Sequence, residues 1–251
     1  MSKETGPQLE VVSSINEPPL TVLLAGATGL IGSHCLDLLL ASPRVKKVIA
    51  PTRRTLSNTS SKLRNVLVDF DRLDEYQELF QCDAIICCLG TTIRQAGSKK
   101  AFKRVDLEYC LDIAELGRSQ TAKAYYLVSA MGADPNSLFF YSRVKGELER
   151  RLVQLEYDYL SLYRPSLLMG DREEHRFAES LGIRLASVIN PFLMGSFAKY
   201  KAIDASKVAR AIVNECTRIG IPEGPGPAVN IYTHNQIVTL ANHPDKLLKG
   251  K

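Results

Sequence analysis

From Leu20 onward, short apolar runs alternate with longer segments in which apolar residues recur every three or four positions. The short runs are typical of buried strands and the longer segments of amphipathic helices. The predicted strands lie near Thr21–Ala25, Lys47–Pro51, Asn65–Asp69, Ala84–Leu89, Ala124–Ser129, Tyr159–Tyr163 and Ala228–Tyr232. The predicted helices lie near Leu30–Leu40, Leu73–Phe80, Ala101–Arg118, Phe140–Leu155, Phe177–Val188 and Ala205–Arg218. Strands and helices in alternation predict an α/β fold built on a doubly wound parallel sheet.

Three segments define the predicted domain organisation. Residues 1–19 are polar and aperiodic and end in a Pro-Pro pair, which predicts a flexible N-terminal tail. Residues 20–251 are predicted to form one domain, because single α/β domains reach this length. The alternation breaks at about residues 166–201, which combine a charged loop, an apolar helix and Pro191. We expect this stretch to be a small C-terminal elaboration that binds the substrate.

Composition and charge exclude several function classes. The formal net charge of +5 is spread in short pairs rather than in a basic block, which argues against nucleic acid binding and suits a small polyanionic ligand. The six cysteines lack CxxC spacing, so we expect buried, reduced thiols, and the four histidines are too dispersed to predict a metal site. Because the chain has no signal-peptide layout and no apolar run of about 18 residues, we expect a cytoplasmic protein without a membrane span.

A glycine-rich turn follows the first predicted strand. The segment Gly26-Ala27-Thr28-Gly29-Leu30-Ile31-Gly32 comes directly before the helical spacing begins. In this order, backbone N–H groups and the positive end of the helix dipole face a pyrophosphate. Gly26 is expected to make the tight turn, Gly29 to let the ligand approach the backbone, and Gly32 to let the helix pack on the strand. The turn predicts a dinucleotide site in a Rossmann-type fold, formed by Gly26, Thr28, Gly29, Leu30, Ile31 and Gly32; the alternative is a structural turn.

The residues after the second and third predicted strands indicate which dinucleotide is bound. An NAD site usually has an acid after the second strand to bind the ribose 2′-hydroxyl, whereas this chain has Arg53 and Arg54. Two guanidinium groups can bind a 2′-phosphate through charge-assisted hydrogen bonds, so we expect NADP(H). The alternative is that both arginines are simply solvated. Asp69 and Phe70 are predicted to bond or stack around the adenine.

A tyrosine and a lysine provide the candidate chemistry. Tyr141 and Lys145 are four residues apart, hence on one helix face, and they follow the strand that ends at Ser129. Such a pair is common by chance, but here it follows a dinucleotide turn, and nearly the whole chain after Leu20 resembles the short-chain dehydrogenase/reductases. Several stretches resemble one atypical branch, the HIV Tat-interacting-protein-like proteins. They are Thr52-Arg53-Arg54, Cys87-Cys88-Leu89-Gly90-Thr91-Thr92, Val105-Asp106, Gly132-Ala133-Asp134, and Arg164-Pro165 followed by Asp171-Arg172.

The resemblance implies a role for each candidate residue. Tyr141 is expected to be the general acid/base, Lys145 to bind the nicotinamide ribose and stabilise the phenolate, and Ser129 to hydrogen-bond the substrate oxygen. The residues expected to line the cofactor are Leu89, Gly90, Thr91, Thr92, Tyr141, Lys145 and Pro165. A phenol with a pKa of about 10 is a poor base at neutral pH, so a nearby positive charge is needed to lower that pKa. Many members have an Asn that holds a proton-relay water where this chain has Asp106.

These residues predict an NADP(H)-dependent oxidoreductase that acts on the carbonyl or alcohol group of a small-molecule substrate. One alternative is a regulatory protein that binds NADP(H), senses its redox state without turnover and contacts a protein partner. Another is a nucleoside-sugar epimerase-like enzyme, although such enzymes usually have a larger C-terminal substrate domain than the residues after Pro165 provide. The sequence leaves a homodimer open.

Overall fold

A computed structural model of the chain describes residues 18–169, 202–219 and 227–242. The strands are β1 (Leu20–Ala25), β2 (Val45–Thr52), β3 (Leu63–Leu67), β4 (Ala84–Cys87), β5 (Ala124–Val128), β6 (Tyr159–Tyr163), β7 (Leu168–Met169), β8 (Ile203–Asp204) and β9 (Ala228–Tyr232). Seven of them form one sheet in the order β3-β2-β1-β4-β5-β6-β9, and all neighbouring pairs are parallel. The predicted doubly wound parallel sheet is confirmed.

Helical segments connect the strands. The α-helices are α1 (Leu30–Ala41), α2 (Ile93–Ala96), α3 (Lys99–Lys103), α4 (Tyr109–Ser119), α5 (Phe140–Val153), α6 (Ala205–Asn214) and α7 (His234–Asn242). A 3₁₀ segment spans Phe70–Phe80, and π-helical turns span Arg104–Glu108 and Glu215–Ile219. In the described ranges, no helix has the length and apolar character needed to cross a membrane.

Two apolar cores lie on opposite faces of the sheet. In β1, Val22 and Leu24 belong to one core, while Leu23 and Ala25 belong to the other. Residues of α1, α6 and α7 complete the first core, and residues of α4 and α5 complete the second. Because both faces of each parallel strand are buried, the strands are nearly continuous apolar runs in the sequence.

One predicted helix has a different geometry. The segment expected to be helical at Leu73–Phe80 lies inside the 3₁₀ segment, which begins at Phe70. Its backbone leaves helical angles at Arg72 (φ −135°, ψ 39°) and Tyr76 (φ −117°, ψ 33°), so the segment is divided into short turns. Short pieces are typical of 3₁₀ structure, whose hydrogen bonds are poorer than those of an α-helix.

The predicted helix at Ala101–Arg118 is interrupted. It begins earlier, at Lys99, because the Ser98 hydroxyl accepts a hydrogen bond from the Ala101 N–H group at 3.1 Å. The π turn Arg104–Glu108 then separates α3 from α4. The predicted helix at Ala205–Arg218 likewise continues from α6 into a π turn.

The chain after β6 contains elements that the sequence did not predict. Helix α7 was not expected, although its buried Ile237, Leu240 and Ala241 have helical spacing. Strands β7 and β8 pair in a separate two-stranded sheet at either end of the expected substrate-binding stretch. The predicted helix near Phe177–Val188 and most of the expected tail lie outside the described residues.

Candidate functional site

The glycine turn between β1 and α1 has no room for side chains at two of its glycines. Gly26 has a φ of +83°, and a Cβ atom there would lie 2.7 Å from the carbonyl carbon and oxygen of Cys88, which follows β4. A Cβ atom on Gly32 would lie 2.0 Å from the Gly26 carbonyl oxygen. The expected tight turn at Gly26 and the expected close packing at Gly32 are therefore confirmed.

Gly29 and the first turn of α1 form the open side of this loop. Gly29 has extended backbone angles (φ −80°, ψ 173°), and a Cβ atom there would lie 3.2 Å from the Gly26 carbonyl oxygen and 3.9 Å from that of Cys88. No side chain caps α1, and its first turn contains no acid. The N–H groups of Leu30, Ile31 and Gly32 have no acceptor within the helix. These N–H groups and the helix dipole can bind an anion.

Arg53 and Arg54 directly follow β2 and are exposed. The Thr52 hydroxyl donates to the Arg54 carbonyl oxygen at 2.8 Å and accepts from Nδ2 of Asn65 at 2.7 Å, which fixes the backbone of this segment. Within the described part of the chain, neither guanidinium group has an ion-pair partner. Their charges are therefore available to a bound phosphate.

The residues after β3 differ from expectation. The Asp69 side chain is exposed and accepts from the Asp71 N–H group at 3.0 Å, which caps the 3₁₀ segment. Phe70 is only 7% exposed, and its ring centroid lies 5.5 Å from that of Tyr109. Phe70 belongs to the second apolar core, and stacking of its ring around an adenine stays a prediction. A hydrogen bond from Asp69 to the cofactor stays a prediction.

The loop after β4 connects the glycine turn to the candidate catalytic residues. Leu89 is half-buried, and a Cβ atom on Gly90 would lie 3.4 Å from Oδ1 of Asp106 and 3.9 Å from Nζ of Lys145. The next two residues fix this loop: the Thr91 N–H group donates to Oδ2 of Asp106 at 2.8 Å, and the Thr92 hydroxyl caps α2. Gly90 is exposed and therefore places the surface of this loop directly beside the Lys145 ammonium group.

Tyr141 and Lys145 lie in the first two turns of α5, with different exposure. Tyr141 is 41% exposed, and its ring packs on that of Phe102 at a centroid distance of 5.7 Å. Lys145 is buried. Close packing fixes the helix, because a Cβ atom on Gly146 would lie 2.2 Å from the backbone of the loop after β5. The helix thus holds the buried Lys145 one turn after the partly exposed Tyr141.

A buried ion pair determines the electrostatics of this site. Nζ of Lys145 lies 2.7 Å from Oδ1 of Asp106, and both side chains are almost completely buried. Burial alone would lower the pKa of Lys145, but the Asp106 carboxylate, together with Tyr141 and Cys110, holds that pKa above its ordinary value. Burial raises the pKa of Tyr141; the Lys145 charge opposes the rise and the Asp106 charge adds to it. Burial, with a smaller contribution from the Asp106 charge, thus holds the pKa of Tyr141 above its ordinary value, and Tyr141 is a phenol at neutral pH.

Ser129 lies at the same edge of the sheet, but its hydroxyl has a partner. It donates to Oε1 of Glu149, a buried residue of α5. Nε of Arg164, which follows β6, donates to the same oxygen at 3.0 Å. Pro165 is buried, and its carbonyl oxygen accepts from the Met131 N–H group at 3.0 Å. In this structure the Ser129 hydroxyl is bound to Glu149, so its hydrogen bond to a substrate stays a prediction.

The structure brings the glycine turn, the loop after β4 and the Tyr141–Lys145 face to the carboxyl edge of the sheet. The contact of Ser129 with Glu149 was missed, although Tyr141, Lys145 and Glu149 recur every four residues on α5 and indicated one helix face. The Lys145–Asp106 ion pair was also missed, although Asp106 had been noted as a departure from the family pattern.

The residues present fit a nicotinamide dinucleotide. An uncapped helix N-terminus and the Cβ-free Gly29 suit a pyrophosphate. The exposed Gly90 lies beside the Lys145 ammonium group, which can donate hydrogen bonds to ribose hydroxyls. The arrangement can therefore bind a dinucleotide along the carboxyl edge and offer a phenol proton at one end.

Comparison with known proteins supports this description. A family model described as the NAD dependent epimerase/dehydratase family matches residues 22–221. The chain is similar to Protein HTATIP2 of Rattus norvegicus, with 38% identity over 204 residues that cover 80% of this chain and 82% of that protein. It is also similar to Protein FMP52, mitochondrial, of Candida albicans, with 32% identity over 232 residues that cover 89% of this chain and 99% of that protein.

Solved structures share the fold. One is MoeE5 in complex with UDP-glucose and NAD, with a TM-score of 0.63 and 19% identity over 90% of this chain and 82% of that chain. Another is UDP-glucose 4-epimerase from Thermotoga maritima with UDP-glucose, with a TM-score of 0.61 and 15% identity over 92% of this chain and 84% of that chain. At these identities the likeness establishes the fold alone.

Proposed function

Because this chain belongs to the NAD-dependent epimerase/dehydratase family, we propose that it is an NADP(H)-dependent oxidoreductase acting on the carbonyl or alcohol group of a small substrate. One observation supports this proposal above all others, namely the course of the loop after β4. Its Cys88 carbonyl packs against Gly26 of the glycine turn, and two residues later Gly90 lies beside the Lys145 ammonium group. A short, continuous segment therefore links a pyrophosphate site to a candidate nicotinamide site.

Each residue has a defined task in this proposal. The first turn of α1 binds the pyrophosphate, and Lys145 donates hydrogen bonds to the nicotinamide ribose. Tyr141 exchanges a proton with the substrate oxygen, since its phenol is accessible at the start of α5. When bound, the cofactor supplies or accepts the hydride.

Arg53 and Arg54 favour NADP(H) over NAD(H). Both side chains are exposed after β2, where an acid would repel a 2′-phosphate. MoeE5, which shares the fold, was solved with NAD, so the choice of cofactor in this chain rests on these two arginines. The proposal includes Asp69 as a further contact on the adenosine side.

A regulatory NADP(H)-binding protein is the second candidate function. One observation favours it: the Ser129 hydroxyl is bound to Glu149. This contact reduces the activation of a substrate oxygen relative to a site in which the hydroxyl faces the substrate. Such a protein would bind the cofactor tightly and contact a protein partner without turning over substrate.

A turnover screen tests the two candidates against each other. Purified protein is mixed with NADPH and a panel of aldehydes, ketones and UDP-sugars while nicotinamide absorbance is recorded, with Tyr141→Phe as the matched control. Oxidation of NADPH by a carbonyl compound, lost by about a hundredfold or more in Tyr141→Phe, supports the oxidoreductase. Tight NADPH binding without turnover of any compound supports the regulatory protein, and conversion of a UDP-sugar without net NADPH oxidation supports the epimerase-like alternative.

The cellular location and the assembly stay proposals. The name of the Candida albicans relative places that protein in mitochondria, whereas the composition of this chain led us to expect the cytoplasm. Fluorescence microscopy of the tagged full chain distinguishes the two locations, and light scattering of the purified protein tests the homodimer.

A further inference from the structure

Asp106 occupies an unusual backbone position. It lies in the π-helical turn Arg104–Glu108, which interrupts the otherwise continuous helix from Lys99 to Ser119. A π turn inserts an extra residue into a helix and is frequent at functional sites. Here both carboxylate oxygens of Asp106 face the candidate catalytic centre, one toward the Lys145 ammonium group and one toward the Thr91 N–H group.

We propose that Asp106 is a positioning residue that binds the Lys145 ammonium group and offsets part of its charge at Tyr141, which favours the phenol form needed for carbonyl reduction. This inference rests on the proposed function. In the reaction, the carbonyl carbon accepts a hydride from NADPH, and a new C–H bond forms. The carbonyl π electrons move to the oxygen, which takes the phenol proton of Tyr141. The carbonyl compound is reduced to an alcohol, NADPH is oxidised to NADP⁺, and Tyr141 regains a proton from solvent.

The charges around Tyr141 favour the reduction of a carbonyl over the oxidation of an alcohol. Lys145, on the same helix, and Asp106, on the facing π turn, are the charged groups that act on its phenol. Two further ionisable groups, the thiols of Cys87 and Cys110, face Lys145 from β4 and α4. An isolated ammonium group would favour the phenolate, but the Asp106 carboxylate, 2.7 Å from that ammonium, offsets part of its effect at the phenol. A neutral phenol is the correct protonation state for donating a proton to a carbonyl oxygen.

The opposite reaction needs the opposite protonation state. Alcohol oxidation requires Tyr141 to accept a proton, and only the phenolate can do so. In the wild-type protein the phenolate forms only at alkaline pH, because burial and Asp106 raise the pKa of Tyr141. Reduction should therefore proceed at neutral pH, and oxidation should require an alkaline solution.

Ultraviolet titration of the cofactor-free protein tests the role of Asp106 directly. The chain has no Trp, so phenolate absorbance is not obscured, and the difference between the wild type and Tyr141→Phe isolates one of its 10 tyrosines. We expect Tyr141 to ionise at or above the ordinary phenol pKa of about 10 in the wild type. Asp106→Asn should lower the ionisation pH of Tyr141 by about one unit or more, since the ammonium charge is no longer offset.

Two further variants separate charge from structure. Glu108 lies in the same π turn, but its carboxylate forms an exposed ion pair with Arg104. Glu108→Gln should therefore leave the ionisation pH of Tyr141 unchanged. Lys145→Met added to Asp106→Asn should reverse the shift. An unchanged ionisation of Tyr141 in Asp106→Asn overturns the inference, and so does a wild-type Tyr141 that ionises well below pH 10; the second result does not depend on the folding of any Asp106 variant. Because this titration uses no substrate, failure of the proposed oxidoreductase activity would not affect it.

Discussion

Replacement of Gly29 by valine separates the ligand-binding role of the glycine turn from its structural role. The backbone at Gly29 has extended angles that valine adopts without strain (φ −80°, ψ 173°). A Cβ atom there meets its nearest neighbour, the Gly26 carbonyl oxygen, at 3.2 Å, so a shift of a few tenths of an ångström is sufficient. The two methyl groups would then project into the space in front of the first turn of α1, which is the space that a pyrophosphate needs.

The expected loss of affinity follows from the hydrogen bonds at this helix terminus. A hydrogen bond to a charged group is worth about 1.5–3 kcal/mol, so losing two of them costs about 3–6 kcal/mol, or on the order of a hundredfold or more in affinity. The cost to folding should be about 1 kcal/mol, which corresponds to about 2–4 °C in Tm for a chain of this size. Titration of NADPH by calorimetry measures the affinity, and circular dichroism measures the Tm.

Gly32→Ala is the matched control. Its Cβ atom would lie 2.0 Å from the Gly26 carbonyl oxygen, a contact that only a backbone shift can relieve. This variant should lose Tm and affinity together, whereas Gly29→Val should lose affinity with a decrease in Tm of only about 2–4 °C. The reasoning is refuted by a folded Gly29→Val that binds NADPH as tightly as the wild type.

Three further predictions concern other parts of the molecule. Replacing both Arg53 and Arg54 by alanine should remove a preference for NADPH over NADH of about tenfold or more; equal affinities for the two cofactors in the wild type would contradict it. Tyr126→Phe should change the free energy of unfolding little, because the only hydrogen-bonding partner of its buried hydroxyl among the described residues is the Cys216 thiol, a weak acceptor. Tyr125→Phe should lower it by about 1 kcal/mol, since that hydroxyl donates to the Cys110 carbonyl. Burial raises the pKa of Glu215, although four hydroxyl groups donate hydrogen bonds to its carboxylate. Protonated Glu215 therefore contributes stability that is fully present below about pH 4 and is lost as the pH rises through the pKa of the folded state. Urea unfolding of Glu215→Gln at several pH values should lack this loss of stability.

Local signals in the sequence predicted much of this fold. The strand at Tyr159–Tyr163 was predicted with its observed bounds, because a strand buried on both faces is a continuous apolar run. Gly26 and Gly32 were assigned their backbone roles correctly, since their offsets are set by the local geometry of a strand, a turn and a helix. In these regions, neighbouring residues determine the structure.

The missed features depend on contacts between distant residues. Asp106 and Lys145 are far apart in sequence, and a π turn that no local pattern indicated brings them together. Ser129 was predicted to face the substrate, but Glu149 on α5 binds its hydroxyl. Periodicity identifies a helix face, but it does not identify which buried carboxylate pairs with which polar group on that face.

Transfer of an isotopic label tests the central claim of an NADP(H)-dependent oxidoreductase most directly. NADPH that carries deuterium at the reactive C4 position is mixed with the wild-type protein and with Tyr141→Phe, and the carbonyl panel is analysed by mass spectrometry. We predict that the wild type produces an alcohol with one deuterium on its former carbonyl carbon, at a rate about a hundredfold or more above that of Tyr141→Phe. Tight binding of NADPH with no deuterium in any product, or equal transfer by both proteins, would contradict the proposed function.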